Sequence, residues 1–418
     1  MTGVFRSLRH PNYRLWAGGA LVSNAGTWMQ RTAQDWLVLT RLTHNNAAAV
    51  GLVTALQFAP QILLLPWTGL AADRLDRRKL LMLTQACMGL LAVGLGLLTI
   101  SNAVRLWHVD AFALLLGCVT AFDSPVRQTF VADLVEPDDL PNAVALNSTS
   151  FNAARMIGPA LAGLLIAAVG SGWVFVINAA SFGAVLASLA RMRLAGAAAP
   201  GAARRGRGGN LAEGLRFVMQ RGDLTGLMVM LFLVATFGLN FTIFIPAMAV
   251  RVFRVGAGEY GVLSSVMAVG SVTGALLAAA RGRPRVGLLV LAALAFALSA
   301  GLAALAPTFW LFGATLVLVG VSAQTLTTST NALMQTSADP ELRGRVMALV
   351  MAISLGGAPL GAPVAGWIAD AFGPRWSLAM AAASGLAGAA AALYAWRAAR
   401  RSGPAPRRPA TLPERAAR

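Results

Sequence analysis

Windows of ~20 mostly apolar residues, the length a helix needs to cross the hydrocarbon core of a bilayer, follow one another along almost the whole chain. They fall at approximately 14–40, 48–70, 80–100, 107–128, 145–169, 173–192, 223–250, 260–280, 286–306, 309–330, 346–370 and 376–398, separated by short runs of Gly, Pro, Asn or Arg. Only 12% of the 418 residues are charged, against 57% hydrophobic, where an ordinary soluble domain carries about 25% charge. There is too little charge to cover a water-soluble globule, and a soluble cytosolic enzyme is excluded. In lipid the backbone must satisfy its own hydrogen bonds, which makes the helix the natural spanning element. The expectation is an all-α polytopic membrane protein with twelve transmembrane helices. The start is basic, but the first apolar run continues through polar residues to Thr40 without a small-residue cleavage site. It reads as a retained span, not a signal peptide.

The formal net charge of +18 raises the question of nucleic acid, and the placement of the charge answers it. Arg6, Arg9, Arg14, Arg74, Arg77, Arg78, Lys79, Arg127, Arg281, Arg283, Arg285, Arg343 and Arg345 fall on one side of such a topology, together with the arginines of 191–221 and of the tail. The opposite loops hold only Arg41, Arg105, Arg251, Arg254 and Arg375. By the positive-inside rule both termini face the cytoplasm. Charge spread among loops that face anionic headgroups needs no nucleic acid; the expected partners are the bilayer and a small-molecule substrate. Trp107, Trp173, Trp310 and Trp376 each open a window at its outer end, as interfacial belts do. His10, His44 and His108 have no metal-ligand spacing, and Cys87 and Cys118 lie in apolar runs as free thiols. No metal is expected.

A repeat appears at an offset of 203 residues. Gly117, Pro137, Gly158, Gly163, Gly170, Trp173 and Ser181 coincide with Gly320, Pro340, Gly361, Gly366, Gly373, Trp376 and Ser384. Spans four to six and ten to twelve are copies, and the chain divides into two pseudo-symmetric six-helix bundles. The boundaries expected are a cytoplasmic arm at 1–13, a first bundle at 14–192, a basic cytoplasmic linker at 193–222, a second bundle at 223–400 and a disordered cytoplasmic tail at 401–418.

The loop after the second window reads Gly69-Leu-Ala-Ala-Asp73-Arg74-Leu-Asp76-Arg77-Arg78-Lys79. It resembles the signature Gly-x-x-x-Asp-Arg-x-Gly-Arg-Arg of the major facilitator superfamily, with Asp76 where that pattern has glycine. Gly69 suits a close helix approach, and Asp73 suits a helix N-terminus or an arginine. The resemblance implies a cytoplasmic gate built on Gly69, Asp73, Arg74, Arg77 and Arg78 that stabilises an outward-open state. Span five contains Gly158, Pro159 and Gly163, which resemble the antiporter motif of drug/proton exchangers; small residues at a close crossing also explain them as packing. Phe122-Asp123-Ser-Pro-Val-Arg127-Gln128 and the opening Phe5-Arg-Ser-Leu-Arg-His-Pro-Asn-Tyr-Arg14-Leu-Trp16 are similar to the bacterial branch that includes enterobactin exporters. The fold implied is the major facilitator fold, in a bacterial inner membrane, with transport by alternating access.

Charged residues within the windows cost at least ~2.5–3.5 kcal/mol each to insert, so each needs a reason. Asp35 follows Arg31 by four residues and can share its helical face. Asp123 and Arg155 lie at similar depth, so the geometry allows a cross-helix pair between them. A carboxylate in a partly dry cavity can carry a proton, which makes Asp35 the first candidate for proton coupling and Asp123 the second. Permanent ion pairing with the arginines is the alternative for both. Asn24, Trp28, Gln34, Gln57, Asn240, Gln324, Thr328 and Asn331 are candidates to line a substrate cavity, although serine and threonine also bond their own helix carbonyls.

These features together predict proton-driven efflux of a small amphipathic molecule, a drug-like compound or a siderophore, by a monomer. No phosphate-binding Gly-x-x-x-x-Gly-Lys-Ser/Thr loop is present, so an ion gradient rather than a cofactor or ATP supplies the energy. A proton-coupled or facilitative importer is the alternative. A membrane-embedded enzyme or receptor on the same scaffold is the remaining one, and no catalytic set supports it.

Overall fold

The computed structural model describes residues 5–192, 211–280, 285–339 and 342–401, and they contain fifteen α-helices and no strand. The first bundle holds α1 (Pro11–Trp36), α2 (Ala47–Leu63), α3 (Leu65–Arg74), α4 (Arg77–Ile100), α5 (Leu106–Phe130), α6 (Leu140–Val169) and α7 (Ser171–Arg191). A short helix, α8 (Leu211–Gln220), precedes the second bundle of α9 (Gly222–Leu233), α10 (Phe241–Ala247), α11 (Ala257–Ala280), α12 (Val286–Leu305), α13 (Phe309–Ser337), α14 (Arg343–Ala371) and α15 (Pro374–Arg401). The twelve spans alternate in direction, so residues 5 and 401 lie at the same end of the molecule. That end is called the terminal end below, and the opposite one the distal end.

Ten of the spans are long and apolar enough to cross a membrane by length and composition alone. The other two explain themselves. Span one, α1, carries Arg14, Arg31 and Asp35 among its polar residues. Span two is cut at Leu64, where Pro66 enters the first turn of α3 and supplies no N–H to continue the ladder. Span seven, Gly222–Phe253, is interrupted differently: π-helical turns cover Val234–Gly238 and Met248–Phe253 on either side of α10. Such irregular turns inside a membrane helix tend to mark working surfaces.

The 203-residue repeat is visible as geometry. Gly170 and Gly373, a repeat pair, have φ of +85° and +104° and end α6 and α14; a side chain at that angle is strained. Gly117 admits the Gln57 carbonyl of α2, and its mate Gly320 admits the Met267 carbonyl of α11. A methyl group on Gly158 would lie 2.6 Å from Trp28 Cβ on α1, and its mate Gly361 meets Thr236 of span seven. Gly163 abuts α11 at the Ala257 carbonyl, and Gly366 abuts α2 at the Ala47 carbonyl. The Gly117 and Gly158 pairs therefore repeat a crossing within each half, and the Gly163 pair repeats a crossing between the halves, close approach of backbones being the main use of glycine between membrane helices.

The halves meet along two seams, α2 against α14 and α6 against α11. Two expectations change at the periphery. The stretch expected as linker includes α8, which buries Val218 and pairs Glu213 with Arg345 of α14 at 2.8 Å; residues 193–210, which include most of that linker, lie outside the described residues, as do 402–418 of the expected tail. The N-terminal arm is docked: Arg6 and Arg9 reach Asp139 at 2.5 and 2.8 Å, and Tyr13 donates to the Ala143 carbonyl at 2.8 Å. Helix α1 accordingly starts at Pro11, three residues before the expected boundary. Trp107, Trp173, Trp310 and Trp376 are exposed at the distal end, whereas Trp16 is fully buried against Phe130.

Candidate functional site

A cavity of about 220 Å³ lies between the halves, walled by α1, α6, α11 and the broken stretch of span seven. Helix α1 contributes Trp28, Arg31, Thr32 and Asp35, and α6 contributes Arg155 and Pro159. Leu239, Phe241, Thr242 and Ile245 come from the interrupted span, and Tyr260, Ser264 and Ser271 from α11. A larger groove of about 400 Å³ between α12 and α13 holds no charged side chain. Its rim carries the exposed Leu291, Leu298 and Leu302, a surface a bilayer covers, and Ser299 and Ser322 bond one another and their own helix carbonyls. The chemistry is concentrated in the first cavity.

Asp35 is buried at the cavity wall and makes no hydrogen bond or ion pair among the described residues. The expected pair with Arg31 does not form, although both side chains reach the same cavity. The Arg31 guanidinium lies over the rings of Trp28 and Phe58, 5.1 and 5.4 Å from their centroids, a contact favourable for a cation out of water. Its Nε is buried without a partner. Tyr260, which the sequence reading missed, also lines the cavity and stacks on Trp36 with 5.6 Å between ring centroids.

The cross-helix pair that the sequence allows between Asp123 and Arg155 does not form. Asp123 Oδ1 accepts from Thr84 and from Gln85, both at 2.8 Å, and Oδ2 accepts from Arg127 Nε at 3.0 Å. Arg127 is four residues on along the same helix, where side chains meet without any cross-helix alignment. Arg155 turns the other way and donates to Gln324 Oε1 of α13 at 3.3 Å, across the two halves.

Among the cavity candidates, Trp28 lines the wall directly. Gln324 touches it through Arg155, and its own Nε2 donates to Thr328 at 3.0 Å. Asn240 points elsewhere: it donates to the Thr236 carbonyl at 2.7 Å, a group freed by the break in span seven. Gln34 and Gln57 are buried, Asn24 is half-buried and Asn331 is exposed, none of them on this cavity wall. A second buried polar set, Gln30, Asn178 and Ser181, joins α1 to α7, with Asn178 donating to Gln30 at 2.6 Å.

The gate motif sits at the terminal end. Gly69 is helical, and the side chain of Asp73 lies outside the described residues. Arg77 binds Asp133 at 2.8 Å and Arg78 donates to the Ala190 carbonyl at 3.1 Å, both within the first half, while Arg74 is exposed. Asp76, the departure from the family pattern, caps α4 by accepting from Lys79 N at 3.0 Å. Gly158, Pro159 and Gly163 make close crossings, with Pro159 O against Gly261 and Gly163 against Ala257. At the distal end Asp370 of α14 accepts from Ala47 N and Ala48 N, at 2.9 and 2.7 Å, and from Arg251 at 2.9 Å. A carboxylate of the second half thus caps the first turn of α2 in the first half, where a helix N-terminus favours negative charge.

The family described as transmembrane secretion effector matches residues 2–408. The chain belongs to this family of the major facilitator superfamily. This family member is 28% identical over 355 residues to the staphyloferrin A transporter of Staphylococcus aureus, covering 83% of this chain and 87% of that one. It is 27% identical over 369 residues to the multidrug efflux pump Tap of Mycolicibacterium fortuitum, covering 85% and 88%. The enterobactin exporter EntS of Shigella boydii is 27% identical over 348 residues, 82% of this chain and 81% of EntS. Among solved structures, a bacterial homologue of the human lysosomal transporter Spinster superposes with a TM-score of 0.75 at 18% identity, covering 95% and 99% of the two chains. The secretion effector family member is a multi-pass membrane transporter of small molecules, not an enzyme.

Proposed function

We propose that the chain is a proton-driven exporter of a small amphipathic molecule, a siderophore or a drug-like compound, working by alternating access as a monomer in a bacterial inner membrane. The observation that carries the reading is Asp35: a buried carboxylate on the wall of a cavity between two rocking halves, with no fixed partner to hold its charge. Such a group can take a proton from one side and give it up on the other. The relatives named as a siderophore transporter, an efflux pump and an exporter support the class of cargo and the direction.

The terminal end faces the cytoplasm by its excess of arginine. The distal seam supports an alternating cycle: α2 and α14 approach through Gly51 and Gly366, and Asp370 ties their ends together. Among the described residues the gate arginines Arg77 and Arg78 at the terminal end engage their own half. These contacts fit a state closed outside, and the cavity is complete within one chain, so one chain suffices.

The test uses inside-out vesicles holding the full chain, acidified internally, and a panel of anionic, neutral and cationic fluorescent amphiphiles. Accumulation of a panel member that an uncoupler abolishes is expected. Movement that ignores the uncoupler, or that runs out of the vesicle together with the proton flow, removes the reading.

A further inference from the structure

The cavity carries more positive than negative charge. Arg31 and Arg155 face Asp35, two guanidiniums against one carboxylate, and no other Asp, Glu, Lys or His lines the wall. Among the described residues neither arginine belongs to an ion pair. The face of Arg31 is occupied by Trp28 and Phe58, but its Nε is buried and unpartnered. Its hydrogen-bonding edge therefore remains free. Arg155 spends one donor on Gln324. An arginine taken out of water without a counter-ion is costly, and among the described residues Asp35 is the one acid on this wall to answer two guanidiniums.

The register between the helices fixes how the two cations are disposed. Helices α1 and α6 run in the same direction and touch where Trp28 meets Gly158. Arg31 lies three residues from that contact towards the distal end, and Arg155 three residues towards the terminal end. At 1.5 Å per residue their backbones are offset by about 9 Å along the helix axes. The same cavity wall carries the apolar Leu239, Phe241 and Ile245.

We propose that the cargo of this cavity is an organic anion, an apolar body bearing one or more carboxylate-type groups held by Arg31 and Arg155. The inference rests on the exporter reading, which it deepens by naming the charge class of the cargo. The guanidinium fork matches a carboxylate with two parallel hydrogen bonds, and the aromatic and aliphatic wall covers the body. An organic cation of the same shape meets two like charges and is rejected.

Three probes with one naphthalene body test it: 1-naphthylacetate, 1-naphthylacetamide and 1-naphthylmethylammonium, measured by equilibrium dialysis on the purified full chain in detergent. The acetate is expected to bind at least tenfold more tightly than the ammonium ion. Arg31→Gln and Arg155→Gln each lose tenfold or more of acetate affinity while amide affinity changes less than threefold, and Arg31→Lys retains part of the acetate affinity. The charge series on the unaltered chain needs no variant to fold. Equal or tighter binding of the ammonium ion, no acetate binding at millimolar concentration, or arginine variants that bind acetate normally overturns the proposal. Vesicle transport separates this failure from that of the exporter reading. Accumulation of the ammonium probe and not the acetate ends the anion inference and leaves export standing; tight acetate binding with no solute moved under any gradient does the reverse.

Discussion

Asp35 and Asp123 are both buried carboxylates in the membrane-spanning part of the first half, and the protein treats them in opposite ways. Asp123 is surrounded by three fixed donors, Thr84, Gln85 and Arg127. Asp35 has none and looks into the cavity. A carboxylate held by a neighbouring guanidinium and two hydrogen bonds is fixed in place, and removing any of those partners costs stability. One that faces a cavity can change protonation while the surrounding structure stays put. The comparison teaches that burial alone does not single out a candidate for proton coupling, and that the absence of fixed partners is what favours Asp35 in the proposed reading. Asp123 is the second candidate from sequence, and its three partners favour a structural role in the proposed reading.

Replacing Asp35 gives the sharpest test of that division. Asp35→Asn is expected to lower gradient-driven transport by a hundredfold or more, with a melting temperature in detergent within a few degrees of the parent. Active transport at the parent rate in this variant would break the comparison. Asp123→Asn is expected to do the converse. Leaving the half-buried Arg127 without its counter-charge destabilises the chain by on the order of 2 kcal/mol, read as a lowered melting temperature, while transport per folded molecule is kept. A variant that folds as stably as the parent but no longer couples would exchange the two roles.

Much of this was legible in the sequence because it is written in short-range or periodic terms. Apolar windows gave the spans, and the pairing of Gly158 with Gly361 and of Gly170 with Gly373 marked crossings and helix ends that the two halves build alike. Arg127 could have been found as the partner of Asp123 from its spacing of four, but it lies near the end of span four, where a basic residue also serves topology. What the sequence does not carry is the rotation of each helix about its axis. That rotation decides that Asn240 bonds the Thr236 carbonyl, that Tyr260 reaches the cavity, and that Arg31 lies on Trp28 and Phe58 instead of on Asp35. The docking of Asp370 on α2 joins residues 323 apart in the chain, beyond any local pattern.

Asp370 extends the comparison to a third carboxylate, satisfied like Asp123 but by groups on both halves. Its donors, Ala47 N, Ala48 N and Arg251, are shared between the halves, so separating the distal ends strips it of the α2 contacts. Asp370→Asn keeps the shape and removes the charge. The loss of a charged cap at a partly buried helix N-terminus is about 1.4 kcal/mol, equivalent to a tenfold shift towards the distally open state. Spin labels at Asn45 and Phe372 would show a longer-distance population growing by that factor; an unchanged distance distribution assigns Asp370 to fold stability alone.

The smallest expected effect tests whether the Asp123 site is a network or a set of independent bonds. Thr84→Val removes one donor from Oδ1 and leaves Gln85 on the same atom at 2.8 Å. With the oxygen still satisfied, the cost is that of one net hydrogen bond, about 1 kcal/mol, and transport is unchanged. Gln85→Leu should cost a similar amount for the same reason. In the double variant Oδ1 is left bare and buried, with only Arg127 on the other oxygen, and the loss should exceed the sum of the single losses by roughly 0.5–3 kcal/mol. Additive losses would mean that each donor acts alone and that the rigidity ascribed to Asp123 rests on Arg127, in which case Arg127→Gln, and not the polar pair, is the substitution that would free this carboxylate to behave like Asp35.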